Sequence, residues 1–332
     1  MSPRRSSCLA VLLTSALAAC ASTHDETLAE DELRAGSVTL ASIGEQYLKL
    51  VMNDDPVFAT SIGHHEYDGK LYDRSPEAVR AWREGITNLS SQLRSLRRDR
   101  LPERDRLSFD LLKANVDVAA RVSAACDNLS PFVRESTMAN LGSDLDAIAS
   151  GQVLTSEADV ASFLTRAAKM PTLIAQTEAN LRSGLARNVL LPRATVDALL
   201  KGYKTLVALP SDQWVIVTSM TFGDGLSANA RTEAQRKTAA LVDDKLRPSF
   251  ARYVEFLEGT YAPRARATVG LAALPEGAKC YDALIEFHTD TKLTASEIHD
   301  LGMAELQGIQ REWWRSAPRP TAPKTWPSSW SA

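Results

Sequence analysis

The side chains able to do hydrolytic or metal chemistry in this sequence are few, and their spacing decides what they could do. Five histidines occur in 332 residues. A helix-borne zinc site needs two of them one turn apart with a glutamate beside the first, so that two ring nitrogens face one metal and the carboxylate reaches its water. No HExxH occurs: the nearest approach is His65-Glu66, and Gly69 stands where the second histidine should be. The run from Gly63 to Gly69 reads as a loop in which the adjacent His64 and His65 point apart. His64, His65 and Glu66 are thus candidates for lining a cleft, against a local role in capping or hydrogen bonding. His288 and His299 fall on two successive helices and could converge, although such histidines more often satisfy local polar groups.

Nucleophile and phosphate motifs also fall short. Ala59-Thr60-Ser61-Ile62-Gly63 has alanine at the first glycine of a G-x-S-x-G elbow, and Asp54-Asp55-Pro56 occupies the place of the buried strand that motif requires. Gly63 to Lys70 is no phosphate loop, since its second glycine comes one position late and Leu71 replaces the Ser or Thr that binds magnesium. Acid pairs such as Asp243-Asp244 read as solvated helix faces. No catalytic or metal-binding residue is assigned.

The elements that would position any site are helical. Ser75 as N-cap and Pro76 at the first helical position precede Val79, Trp82, Ile86, Leu89, Leu93 and Leu96, one stripe at spacings of three and four. Arg94, Arg97, Arg98 and Arg100 crowd its end, where cations complement the helix dipole. A preceding helix carrying Leu40, Ile43, Tyr47 and Leu50 stops before Pro56 and should pack on it. Leu107, Leu111 and Ala114 mark another helix. Ser156 and Asp159 open a long one that Pro171 should kink. Pro192 begins the next, Leu241 to Leu257 gives one bent near Pro248, and Cys280–His288 and Thr294 to about Gln310 form a final pair, the second opened by a Thr294/Glu297 capping box. Trp214 to Thr218 is the one convincing β-type run. The fold is expected to be all-α, an irregular multi-helix array, with a helical domain over 37–312.

The start of the chain reads as an address. Residues 1–19 combine Arg4 and Arg5, an apolar run from Leu9 to Ala19 and a small-residue end. Leu17-Ala18-Ala19-Cys20 resembles the lipobox of bacterial lipoproteins, which makes Cys20 the lipidated first residue of the mature chain. Ala21 after it points to the outer membrane, facing the periplasm, and 20–36 is polar and acidic, as a flexible tether would be. A membrane partner through the Cys20 anchor and a cell-envelope location follow. Cys126 and Cys280 remain: one bridge is open to them, but two small apolar core residues is the favoured reading.

The end of the chain breaks the pattern. Residues 313–332 hold four of the six Trp and four of the 15 Pro, with no acid. Either this is an aromatic, Pro-rich tail that docks on a partner or membrane, or the reading frame changed near 313. Composition favours the second, with a disordered segment in both cases. Charge excludes another class: 38 Lys+Arg against 41 Asp+Glu give a net −3, with no basic excess to track nucleic acid.

Three stretches also carry a likeness. Asp54 to Tyr67, then Gly184 to Val196 with Leu191-Pro192-Arg193, and above all Leu274-Pro275-Glu276-Gly277 with Tyr281 to Gly302, resemble the bacterial proteins grouped as domain of unknown function 885. The similarity runs from about Ser37 to Gln310 and resembles the N-terminal half of that family. The resemblance implies an exported lipoprotein related to mainly helical, gluzincin-like zinc metallopeptidases whose HExxH-type helix lies in the second half. It therefore implies a chain catalytically inactive alone, with zinc expected only in the full-length relative and no cofactor here. Possible partners are a peptide ligand and, through apolar surface left uncovered, a second copy of the chain. The alternative is a lipid-anchored helical binding or scaffolding protein.

Overall fold

The computed structural model describes residues 9–129 and 141–316. Among these the chain is an all-α, multi-helix array whose β content is two short strands. Helix α1 runs Leu9–Asp54. Residues 20–36, expected as a flexible tether, therefore have helical backbone, because their Ala, Leu and Glu favour helix and polarity alone does not undo one. From Glu32, which pairs with Arg100 at 2.9 Å, this helix lies against the body. Ser37 donates to Asp105, and a Cβ on Gly36 would stand 3.1 Å from Leu101. No helix among the described residues is long and apolar enough to cross a membrane.

Local signals fix the next elements. Helix α2 (Pro56–Ser61) begins at Asp55, whose carboxylate accepts from the Phe58 N–H at 2.8 Å. Helix α3 (Pro76–Ser95) begins at Ser75, whose hydroxyl accepts from Ala78 N–H at 3.2 Å. Its buried Ile86, Leu89 and Leu93 pack on Leu40 and Ile43 of α1, as the paired stripes predict, and on Phe109 and Val116 of α4 (Glu103–Ala125). The buried face of α4 is not the expected one. Leu107 and Leu111 are 68% and 57% exposed, while Phe109, Leu112 and Val116 face the core. Both rows have helical spacing, so periodicity alone could not choose between them.

The larger core is built from the later helices. Helix α5 spans Leu141–Ser150, α6 Glu157–Ala167 and α7 Met170–Arg187. The Ser156/Asp159 capping box forms, but the long kinked helix is two helices: Pro171 stands in the first turn of α7, where a missing N–H leaves no intrahelical bond unmade. Helix α8 (Arg193–Ala208) follows Pro192. The β-type run proves helical, as α9 (Val215–Thr218), with Trp214, Ile216 and Val217 all buried. Burial on every side, not strand pairing, explains that apolar run. The strands are β1 (Val153–Leu154) and β2 (Thr221–Phe222), paired in parallel.

Helix α10 (Ala228–Leu241) joins α11 (Arg247–Phe256) through a π-helical turn over Val242–Leu246. The irregularity expected at Pro248 thus falls just before it, leaving the proline in the first turn of α11. Tyr203, Trp214, Phe250, Tyr253, Phe256 and Tyr261 form a chain of ring contacts with centroids 5.5 to 6.1 Å apart. The buried hydroxyls of Tyr203 and Tyr261 accept from the Leu141 and Leu191 N–H groups at 2.8 and 2.9 Å.

Helix α12 (Gly277–Thr289) packs on α4, and α13 (Ala295–Ser316) starts at the expected Thr294/Glu297 box. Helix α13 continues through Trp313 and Trp314, past the point where helical periodicity is lost in the sequence; the rest of the tail, 317–332, lies outside the described residues. The contact between α12 and α4 brings Cys126 and Cys280 together as a disulfide, not as two free core cysteines. Both are buried as expected, but their pairing depends on helix packing across a sequence separation of 154, which no local pattern carries. Closing so long a loop constrains the unfolded chain, and reduction or a Cys126→Ala/Cys280→Ala variant should lower stability by about 2–5 kcal/mol. Urea unfolding with and without reductant checks this; equal midpoints would refute it.

Candidate functional site

The loop singled out by its histidines is a short helical turn, His65–Tyr67. His64 Nδ1 lies 3.1 Å from Glu66 Oε1, and His65 Nδ1 3.1 Å from Asp68 Oδ2. The two rings thus engage different acids. The Glu66 carboxyl is held below the usual range, first by its own backbone N–H and then by His64. Glu66 and His64 form a local surface pair, while His65 lines a cavity between α2 and the segment Gly151–Asp159.

What holds that loop is Arg166, a residue no motif flagged. It projects from α6 and is fully buried. Its Nε donates to the Lys70 carbonyl at 2.8 Å, and its Nη2 donates to the Tyr67 carbonyl at 2.8 Å, the Pro56 carbonyl at 3.3 Å and the Thr60 hydroxyl. Burial pushes its pKa down, opposed chiefly by the charge of Asp68. Nearby, Arg74 donates to both oxygens of Asp144 at 3.1 and 2.9 Å and to Thr177 at 3.1 Å. Burial nonetheless pushes the Asp144 pKa up, outweighing the attraction of Arg74.

A second concavity lies where α8, α12 and α13 meet, a cavity of about 560 Å³. Leu191, Pro192, Leu271, Leu284, Ile285 and Ile298 make most of its wall, with Arg266 and His288 as its basic groups. Its floor is tied by backbone bonds: Arg193 N–H donates to the Arg266 carbonyl at 2.8 Å, and Arg266 N–H to the Leu191 carbonyl at 3.2 Å. The Arg266 guanidinium also donates to the Leu190 carbonyl at 2.7 Å, and burial lowers its pKa. The stretches Gly184–Val196 and Tyr281–Gly302, far apart in sequence, both contribute to this one groove. His299 stands exposed on α13 and is not among the groove's lining residues.

Helix α13 itself buries no residue. Leu301, Leu306, Ile309 and Trp313 continue the line of Ile298 along it, each at least 44% exposed. Among the described residues no three His, Cys, Asp or Glu side chains gather into a group able to hold a metal ion. The zinc implied by the resemblance therefore has no fitting donor set among them.

Fold and groove together define an all-α protein that offers an apolar concavity with two basic groups. The chain belongs to the family of bacterial proteins of unknown function DUF885, whose model matches residues 56–324. The likeness runs past Glu312 into the Trp- and Pro-rich stretch, so it does not stop at about Gln310 as expected. A comparison with curated proteins finds no match. Among solved structures, the "putative lipoprotein from Colwellia psychrerythraea" is 17% identical with a TM-score of 0.62, covering 82% of this chain and 49% of that one. The fold is shared, and this chain spans about half the length of that relative.

Asp68, Gln152 and Arg166 were missed in sequence because nothing local distinguishes a buried charge from a solvated one. Arg166→Met should cost about 3–5 kcal/mol, since it strands several buried oxygens. Arg166→Lys should recover little, because a single ammonium cannot span the same acceptors. Glu66→Gln, on the surface, should leave stability close to that of wild type. Urea denaturation orders the three, and an Arg166→Met protein as stable as wild type would sink the account.

Proposed function

We propose that this chain is an envelope lipoprotein, anchored through Cys20, whose helical body forms one wall of a peptide-binding cleft of the peptidase type and does not itself activate water. The observation that carries this reading is the convergence of Gly184–Val196 and Tyr281–Gly302 on a single groove that runs onto the apolar face of α13. An apolar concavity with a few polar groups is the usual form of a site for an extended ligand. His288 and Arg266 would meet a peptide's carbonyl or carboxylate oxygens, and the apolar wall its side chains. A solved relative of which this chain covers 49%, titled a "putative lipoprotein", supports the envelope location.

Peptide binding without turnover is the expected behaviour. Peptidase assays with and without added zinc should give no metal-dependent cleavage, whereas a fluorescent peptide mixture should bind and lose affinity on Thr195→Trp, which fills the groove. Zinc-dependent cleavage, or binding indifferent to that change, would overturn the proposal.

The uncovered stripe of α13 favours a companion reading, in which that face docks on a protein, a second copy included. Leu301→Lys, Leu306→Lys and Ile309→Lys combined should abolish self-association in light scattering and leave a folded monomer, because all three positions are exposed. Persistent oligomers in the triple variant would place association elsewhere.

A further inference from the structure

The groove between α8, α12 and α13 carries charge of one sign. Arg266 and His288 line it, and no Asp or Glu does. The two segments that meet at its floor share that bias: 184–196 holds Arg187 and Arg193, 262–274 holds Arg264 and Arg266, and neither holds an acid. Arg193 is paired with Asp197 at 2.8 Å. Arg264 and Arg266 donate instead to backbone carbonyls, of Leu185 at 3.1 Å and Leu190 at 2.7 Å, and no acid among the described residues pairs with either. Since the whole chain is net −3, this local excess of positive charge does not follow from composition.

The polar side chains of the groove agree with its charge. Arg266 Nε and Nη1 are held by the Leu190 and Thr268 carbonyls, which fixes the plane of the guanidinium. Its Nη2 has no partner among the described residues and, unlike Nη1 of Arg166, is not sealed from solvent. Thr195, Tyr281 and His288 likewise make no side-chain hydrogen bond among those residues. Each of these four side chains can donate, whereas the Thr289 hydroxyl is already committed to the Ile285 carbonyl at 2.7 Å. A carboxylate accepts at about four lone-pair sites and brings the opposite charge. Beside an apolar wall, where the effective dielectric is lower than in water, that attraction is strengthened.

We propose that the groove holds the carboxyl terminus of a peptide, with Arg266 Nη2 donating to the carboxylate and the wall of Leu191, Leu271, Leu284 and Ile298 taking the apolar side chains of its last residues. This rests on the peptide-binding reading above and adds which end of the peptide is held. A fatty acid carries the same carboxylate on an apolar chain. It brings no amide groups for Thr195, Tyr281 and His288 to bond, so the peptide is the better match. The competing role for Arg266 is purely structural, tying the backbone at 190 to that at 268.

Fluorescence anisotropy on the full chain separates these. The probes are N-terminally dansylated trileucine as its free acid and as its amide, with unlabelled trileucine and decanoate as competitors. The acid should bind at least about tenfold more tightly than the amide. Arg266→Gln should lower the affinity of the acid to that of the amide and leave the amide unchanged. Arg266→Lys should keep part of the difference, and Arg264→Gln, outside the groove, all of it. Equal binding of acid and amide would overturn the carboxylate assignment while peptide binding stands, and binding of neither would overturn both. A loss shared by acid and amide in Arg266→Gln would mark a structural role and refute the proposal, as would loss of the difference in Arg264→Gln. Decanoate competing better than trileucine would overturn the choice of a peptide. Should Arg266→Gln fold poorly, the comparison of acid with amide on the unaltered chain still decides.

Discussion

A single cation with no access to water holds the amino-terminal part of this molecule to its centre. Arg166 donates to the carbonyls of Pro56, Tyr67 and Lys70, which bracket the whole segment from α2 to the approach of α3. Neutral oxygens make poor compensation for a buried charge unless several converge, and that convergence exists only when α2, the His65 turn and α6 are all in place. The arginine therefore acts as a condition on folding more than as a source of stability. Arg74 works the same way one layer on. Its bidentate bond to Asp144 in α5, its contact with Thr177 in α7, and the Asn180 side chain donating to its carbonyl at 2.8 Å tie three separate segments through one side chain. That burial raises the Asp144 pKa despite this partner means desolvation is the larger force, so the pair selects an arrangement more than it strengthens one.

This explains which parts of the molecule were legible in the sequence. The starts of α3, α6 and α13 are written in four-residue signals, Ser75-Pro76, Ser156/Asp159 and Thr294/Glu297, whose partners lie within one turn. The face of α4 was misread because Leu107-Leu111 and Phe109-Leu112-Val116 are both helical rows, and only α1 and α3 decide which is covered. Trp214 to Thr218 has the composition of a strand, yet a strand needs a neighbour, and Trp214 is instead fully buried with its ring against Phe250. The disulfide and Arg166 belong to the same class: each depends on two segments far apart in sequence being brought together. The His65 turn was visible as a cluster, but the groups that brace it, Asp68 and Gln152, are set apart by burial alone.

The groove was legible in another way. No spacing rule marks Leu191-Pro192 or Tyr281 to Gly302 as functional, and only their resemblance to a family singled them out. The structure supplies the physical link, because a bridge between Pro192 and Arg266 presents the first stretch to the faces of α12 and α13 that the second provides. One wall is thus assembled from pieces that have no local reason to meet.

Helix α13 then sets a constraint that extends beyond the groove. A 22-residue helix with an apolar stripe and no buried residue is at odds with the way amphipathic helices are ordinarily stabilised, by packing that stripe against a core. Its own devices, the Thr294/Glu297 box and the turn that joins it to α12, contribute on the order of 1 kcal/mol. Covering even 200 Å² of the stripe would contribute about 5 kcal/mol, several times as much. By this balance of magnitudes, a partner that covered Leu301, Leu306, Ile309 and Trp313 would do more to fix α13 than its own capping does. The groove shares Ile298 with that same line, so an occupant of the stripe and an occupant of the groove would be in contact, and each would favour the binding of the other.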